Sequence, residues 1–457
     1  MFNKDKIDYK VIGINVFSII FLLLAVVSWI PAFHPKESQS EKRELTKFPE
    51  FTTESFFSGA YFSGISDWFA DTFPMRDVYI SINTGINTIL KPSSTQIHGD
   101  VIQGDEIPTG PMVTESTEES SEASTSDTSS SDSATESTSE TTPEVTDPDM
   151  TGVPVEQLGA LLIVGDTGYE YYNFVQSTAD KYITAINRAG QVVGNAANVY
   201  VMVIPTSMDI TLPSSVRDSI TNVSNQKDAI NYMYSSIGNN VKKVELYDAL
   251  KSHRNEYIYF RNDHHWTSLG AWYSYLQFAE LRGRGACSLE NDFTSREFTG
   301  FRGTFYNDSG KDQRLNNPDT VVAYTPNVTN DIKITQKDGT PLNGWRIIYD
   351  VSDWRSDSKY NTFIGGDNPW SVITNPTKTD GSACLIIKDS FGNAFTPFLV
   401  PDYQYVYVLD YRYYKLISGN HLLDVVAQYN INDVIFCNNI SSTRNKDLVN
   451  AIANFVG

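Results

Sequence analysis

Two short stretches carry residue types that can do chemistry together. The first, Tyr259-Phe-Arg-Asn-Asp-His-His-Trp-Thr-Ser-Leu-Gly270, holds two of the six histidines of the chain beside an aspartate. In extended backbone, residues two apart project to the same side, so Asp263 and His265 can approach a common site while His264 points away. An aspartate so placed can fix a histidine tautomer and stabilise the imidazolium formed when the ring takes a proton. The second stretch is Leu385-Ile-Ile-Lys-Asp-Ser-Phe-Gly-Asn-Ala394, an apolar run that delivers Asp389 and Ser390 to its C-terminal end. A helix is expected to start there, and its unpaired N–H groups can stabilise an oxyanion. Gly392 permits close backbone approach and Asn393 offers an amide donor, so both are candidate oxyanion or substrate contacts. Ser390 still needs a base, because a free hydroxyl is a poor nucleophile at neutral pH. His265 is the histidine with a carboxylate partner beside it in sequence.

Those residue types leave other readings open. Asp263, His264 and His265 could hold a metal ion, or merely cap and pack the following helix. Ser390 could be an ordinary helix cap, since Ser-x-Gly is a weaker signal than a Gly-x-Ser-x-Gly elbow. Arg412 follows Asp410 beyond a strand and could stabilise an ester or carboxylate, or simply pair with an acid. Tyr306, Trp370, Tyr411, Tyr413 and Tyr414 could line a carbohydrate cleft, because polar-edged rings suit sugar faces; an aromatic core explains them equally.

The elements that must position these residues alternate in type. Ala160–Val164, Val199–Ile204 and Val244–Leu246 read as strands, whereas 179–189 and 226–237 have helical spacing. Thr267 to Leu281 is the clearest helix, with Thr267 or Ser268 as its cap. Residues 298–380 carry many glycines and prolines and no long helical period, which predicts an irregular insertion of hairpins and loops. Three apolar runs then follow, Cys384–Ile387, Tyr405–Leu409 and Asp433–Cys437, with short helices near 394–399 and 421–429 between them. Strands spaced by helices imply an α/β fold: a mostly parallel sheet flanked by helices. In such a sheet, ligands bind at the C-terminal edge of the strands, where Ser390 is expected.

The whole chain has 457 residues, with 35 basic and 55 acidic ones for a net charge of −20. That balance disfavours nucleic acid as a partner. The three cysteines, Cys287, Cys384 and Cys437, are too scattered for a disulfide framework or a thiolate zinc site, and no cofactor is implied. Val11 to Ile30 is apolar enough and long enough to be a membrane-spanning anchor, preceded by Lys4, Lys6 and Lys10. The expected order is therefore a cytoplasmic tail at 1–10, a transmembrane anchor at 11–30 and a juxtamembrane and helical part at 31–91. The remainder would lie outside the cell membrane as a single-pass protein. Residues 113–150 are Ser/Thr-rich and acidic, with eleven Asp and Glu between Glu115 and Asp149. Such a segment buries too little to offset the entropy of ordering and is expected to be disordered. Residues 151–457 would then form the catalytic domain.

The stretch NDHHWTSLGAWYSY resembles the signature of the DHHW family, grouped with the AlgX/AlgJ-like branch of the SGNH hydrolases. FSGISDWFADTFPMRD at 62–77, LLIVGDTGYEYY at 161–172 and VYVMVIPTSMDI at 199–210 are similar to it as well. GFRGTFYNDSG at 300–310, GGDNP at 365–369, LIIKDSFGNAFTPFL at 385–399 and YVLDYRYY at 407–414 extend the likeness. The resemblance implies an SGNH-like fold in which Asp263 orients, His265 is the base and Ser390 the nucleophile. Tyr306, Asn368 and Arg412, on the resembling stretches, become candidate substrate contacts beside Gly392 and Asn393. It further implies a polysaccharide O-acetyltransferase or acetylesterase, with an envelope or cell-wall glycan as substrate and a membrane-bound O-acyltransferase as acyl-donor partner. The alternative is a non-catalytic glycan-binding or scaffold protein that keeps the fold.

Overall fold

The computed structural model describes residues 34–38, 43–57, 60–73, 104–112, 155–158 and 161–457. The chain divides into two compact units, residues 1–96 and 97–457. In the first, Glu37–Ser38 pairs antiparallel with Arg43–Glu44, and helices Thr53–Phe57 and Ala60–Thr72 follow.

The second unit opens with a small antiparallel sheet of β1 (Val155–Leu158), β2 (Leu161–Val164) and β3 (Thr167–Glu170). Then come α1 (Gln176–Val193), β4 (Asn198–Ile204), α2 (Gln226–Ser236), β5 (Val241–Lys243) and α3 (Ser268–Arg282). A long hairpin, β6 (Phe293–Phe301) with β7 (Asp319–Pro326), precedes three short strands, β8 (Lys333–Thr335), β9 (Pro341–Leu342) and β10 (Trp370–Thr374). The chain ends with β11 (Ala383–Lys388), α4 (Phe391–Leu399), β12 (Tyr405–Asp410), α5 (Leu422–Tyr429), β13 (Asp433–Asn439) and α6 (Lys446–Val456).

Eight of these strands form one sheet in the order β9-β8-β10-β12-β11-β13-β4-β5. From β12 to β5 every pairing is parallel, and from β9 to β12 every pairing is antiparallel. Alternate residues along the central strands feed two separate cores, as the two-residue period of a strand requires. Tyr200, Met202, Cys384, Ile386, Val408 and Ile435 face α3 and α4, with Tyr275, Phe278, Phe395 and Phe398. Val199, Val201, Leu385, Ile387, Leu409 and Val434 face the other way, towards α1, α2, α5 and α6, with Ile183, Met233, Val425 and Ile452. A strand covered on both faces must be apolar throughout, which is why β11 is buried at every position.

Several expectations change. The strand expected at Val244–Leu246 lies at Val241–Lys243, and Val244 only continues its ladder through one N–H to Val201 O at 2.9 Å. The 298–380 region is not wholly an insertion, because β8 and β10 extend the main sheet from its antiparallel side. The transmembrane helix of the expected fold class has no counterpart among the described residues. Among the described residues no helix is long and apolar enough to cross a membrane. The longest, α1, is amphipathic: it buries Tyr182, Ile183, Ile186 and Val193 and exposes Lys181, Arg188 and Gln191. Membrane attachment through a spanning helix and a single-pass topology with a cytoplasmic N-terminus likewise find no support among the described residues. The stretches read as tail, anchor and acidic disordered segment (1–10, 11–30 and 113–150) lie outside the described residues.

Candidate active site

The segment before α3 is not extended but folded back on itself. Tyr259 and Trp266 form an antiparallel bridge, and the Phe260 N–H donates to His265 O at 3.2 Å. Within that tight loop Asp263 Oδ1 accepts two hydrogen bonds from His265, from its backbone N–H at 3.0 Å and from Nδ1–H at 2.5 Å. The second carboxylate oxygen accepts the Thr304 N–H at 2.8 Å and its hydroxyl at 3.1 Å. With Nδ1 protonated against a carboxylate, the other ring nitrogen is an acceptor. His265 Nε2 lies 2.7 Å from Ser390 Oγ. Ser390 caps α4 at the C-terminal end of β11, 125 positions along the chain from His265.

Two aromatic residues hold the two segments together. The Tyr360 ring stacks on the His265 imidazole at 4.0 Å between centroids and 13° between planes, and its hydroxyl donates to Ser390 O at 3.0 Å. The Trp266 indole N–H donates to Phe391 O at 3.0 Å. Behind the serine, Asp389 accepts the N–H groups of Phe391 (3.1 Å) and Asn439 (2.7 Å) and the Ser442 hydroxyl (2.9 Å). Burial pushes the Asp389 carboxyl up against these bonds and the Arg412 charge.

Electrostatics set the state of the pair. Burial is the largest influence on His265 and pushes it down, the charge of His264 adds to this, and Asp263 and Asp367 oppose; the result is about 4. Burial would raise Asp263, but the His265 and His264 charges and the bonds from His265 and Thr304 hold it well below the usual carboxylate range. At neutral pH the arrangement is therefore a neutral imidazole between an ionised carboxylate and a hydroxyl. Asp263, His264 and His265 also offer atoms within 4.8 Å of one another that could hold a metal ion. Those atoms already serve hydrogen bonds: Asp263 as above, and His264 Nδ1 to Thr304 Oγ1 at 2.7 Å.

The remaining residues singled out in the sequence divide. The Gly392 N–H is taken by Asp389 O at 3.1 Å, and the Asn393 amide donates to Asp367 Oδ1 at 3.0 Å. Among the described residues the Ser390 N–H has no protein acceptor, which leaves it available at the start of the helix. Arg412 forms a two-pronged pair with Asp410 (2.8 and 2.6 Å) and also reaches Asp367 at 3.0 Å. The Asn368 amide closes its own loop onto Gly365 O at 2.9 Å. Tyr306 lies on the short helix that Thr304 begins, its ring 5.8 Å from the Arg302 guanidinium. Trp370, Tyr411 and Tyr414 are buried in the core with residues of α5 and α6. Tyr413 is half-buried, with the Lys337 ammonium 3.8 Å from its ring.

Sequence reasoning missed Thr304, Tyr360, Lys388 and Asp367. Lys388 is fully buried between Asp410 (3.0 Å) and Asp367 (3.3 Å). A lysine ending an otherwise apolar strand was the available signal, because a buried ammonium needs a carboxylate partner.

No curated protein matches the chain. Among solved structures it resembles a DHHW family protein from Eubacterium siraeum, at 30% identity and a TM-score of 0.59, over 66% of this chain and 97% of that one. It also resembles Bacillus cereus PatB1 solved with a sulfonyl adduct (20% identity, TM-score 0.52, 63% of this chain and 98% of that one). A second structure of the same Bacillus cereus protein gives 18% identity, a TM-score of 0.51 and coverage of 65% and 99%. These two likenesses speak to the fold. The DHHW protein family model matches residues 41–409, a span that takes in the Asp-His-His-Trp run itself, Ser390 and the strand β11 that precedes it. On that match the chain belongs to the DHHW family.

Proposed function

We propose that this chain is a serine-dependent O-acetyltransferase or acetylesterase acting on a cell-wall or extracellular polysaccharide through an acyl-enzyme. The observation that carries the reading is the contact of 2.7 Å between Ser390 Oγ and His265 Nε2, with Asp263 on the far side of the ring. Ser390 Oγ attacks the carbonyl carbon of an acetyl ester while its proton passes to Nε2. Asp263 holds the tautomer and steadies the imidazolium. The Ser390 N–H is the backbone donor proposed for the developing oxyanion. The leaving alkoxide takes the proton from Nε2, and acetyl-Ser390 remains. A sugar hydroxyl or water then attacks the acyl carbon, giving its proton to Nε2, and the Ser390 alkoxide leaves and takes that proton back. The acetyl group and the glycan are proposed on the family resemblance.

The test uses an aryl acetate and a sulfonyl fluoride, since a similar protein exists as a sulfonyl adduct. The probe is expected to add its sulfonyl group to the peptide containing Ser390, and Ser390→Ala is expected to abolish acetate release in a folded protein. Turnover retained by that variant sinks the mechanism. A metal-dependent reading of Asp263, His264 and His265 predicts instead that chelation stops turnover and that His264→Ala matters as much as His265→Ala. A scaffold reading predicts glycan binding without labelling of Ser390.

A further inference from the structure

One carboxylate beside the site has only half of its bonding capacity filled. Asp367 Oδ1 accepts hydrogen bonds from the Asn393 amide at 3.0 Å and Lys388 Nζ at 3.3 Å, and forms an ion pair with Arg412 Nη2 at 3.0 Å. Those three come from β11, from α4 and from the end of β12, so the carboxyl is pinned from three elements. Its other oxygen, Oδ2, has no partner among the described residues, although a carboxylate oxygen can accept two. The side chain is 31% exposed, whereas Lys388 and Asp410 beneath it are fully buried. One oxygen is therefore anchored and the other faces outward.

The backbone is built to put it there. Ile364, Gly365 and Gly366 all have left-handed φ values, 47°, 76° and 75°. For a β-branched isoleucine that conformation is an outlier, and such strain persists only where the surroundings impose it. They do so here. A Cβ on Gly365 would lie 2.4 Å from Trp345 Nε1, and one on Gly366 2.8 Å from Asn361 Oδ1. The same segment carries Tyr360, which stacks on His265, so the loop that bears Asp367 is also the one that clamps the base.

The position suits a substrate contact. Asn393 is one helical turn beyond Ser390, and residues three apart on a helix lie about 5–6 Å from each other. A carboxylate bonded to Asn393 thus stands one short span from the reacting hydroxyl. In a sugar ring that span is filled by an ester oxygen and the hydroxyl on the next carbon. The Arg412 and Lys388 charges and the Asn393 bond outweigh burial and keep the Asp367 carboxyl well below its ordinary range. It accepts hydrogen bonds and takes no proton.

We propose that Asp367 is a substrate-positioning residue whose Oδ2 accepts a hydrogen bond from a hydroxyl adjacent to the acylated oxygen. The substrate class is then a vicinal diol, as a pyranose presents, rather than an isolated alcohol. This rests on the acyl-transfer reading above and specifies its substrate.

Two model esters separate the proposal from that reading: the monoacetate of trans-1,2-cyclohexanediol, and cyclohexyl acetate, which lacks the neighbouring hydroxyl. Each kcat/KM is divided by the uncatalysed hydrolysis rate of the same ester. The native chain is expected to favour the hydroxy ester by roughly 10- to 100-fold, the usual range for one hydrogen bond to a charged acceptor. In Asp367→Ala the preference is expected to shrink to within about threefold of unity, and the near-isosteric Asp367→Asn covers the case in which the alanine variant does not fold. Equal turnover of the two esters by the native chain overturns the proposal, as does a preference that survives both substitutions. Loss of all turnover in Ser390→Ala together with equal use of both esters would leave acyl transfer standing and remove only the role of Asp367.

Discussion

His265 carries the clearest quantitative consequence at the scale of single residues. In the folded chain it protonates near 4, chiefly because it is buried, whereas an unperturbed imidazole protonates near 6.5. The imidazole proposed as the base is thus neutral at any pH above about 5, so the acid limb of kcat/KM is expected near pH 4. A pH–rate profile in the native chain with its limb at 6.5 or above would contradict this. The same shift bears on stability. Between pH 6.5 and 4 the unfolded chain binds the proton and the folded chain does not, so stability declines as pH falls through that window. Tyr360 has two separable parts in this site. Tyr360→Phe keeps the stack on His265 and removes the hydroxyl bond to Ser390 O. It is expected to lower kcat by roughly 3- to 10-fold and leave the acid limb in place, as befits one neutral hydrogen bond. Tyr360→Ala admits water to the imidazole and is expected to move the limb up towards 6.5. A limb that moves equally in both variants would show that the stack does not control the ring.

At the scale of elements, the site depends on one close approach that only glycine permits. Gly303 ends the β6 connection, and a Cβ there would lie 2.1 Å from Asp263 Oδ2. Its N–H is held by Asn262 Oδ1 at 3.0 Å, so the backbone has little room to yield. Gly303→Ala must therefore rotate the Asp263 carboxyl away from Thr304 and His265. A kcat/KM loss on the order of 100-fold is expected, with the fold retained by circular dichroism, because small misplacements of catalytic groups are that costly. Activity within about twofold of the native chain would mean that Asp263 has slack. The same pair shows which elements could be read in advance. β4, β11, β12 and β13 announced themselves as apolar runs because both of their faces are covered, and α3 because its period is regular. Gly303 sits in a region of hairpins whose pairing partners are set by tertiary contacts, which no local period reports. The strand β10 was hidden for that reason, whereas α6 carries a helical apolar spacing, Leu448, Val449, Ile452, Phe455 and Val456, that sequence reasoning passed over.

For the whole molecule, the sequence located the charges and the structure adds where they matter. Asp263, His265 and Ser390 were legible because their types and their places beside a strand and a helix are chemically specific. Asp367, Lys388 and Arg412 were not legible as a network, since an ion pair between β11, β12 and a loop is a fact of packing. The net charge of −20 does not describe this site, because eleven of the acidic residues lie between Glu115 and Asp149. Both flanks of that tract are fastened to the second unit. Asp105 bonds to Phe174 O and Gln176 N, each at 2.7 Å, and the Met112 N–H donates to Ser236 Oγ at 2.8 Å. On the other side β1 pairs with β2. The tract between is Ser- and Thr-rich with few apolar residues, a composition with little to bury, and salt screens charges in water beyond about 8 Å. Replacing the eleven acids by Asn and Gln, at unchanged length, is therefore expected to leave the melting temperature within about 1 °C and kcat/KM for an aryl acetate within about twofold. A large loss of activity that added salt reproduces in the native chain would place those acids at the substrate. An unchanged rate at every ionic strength would place them on a tether that the chemistry does not use.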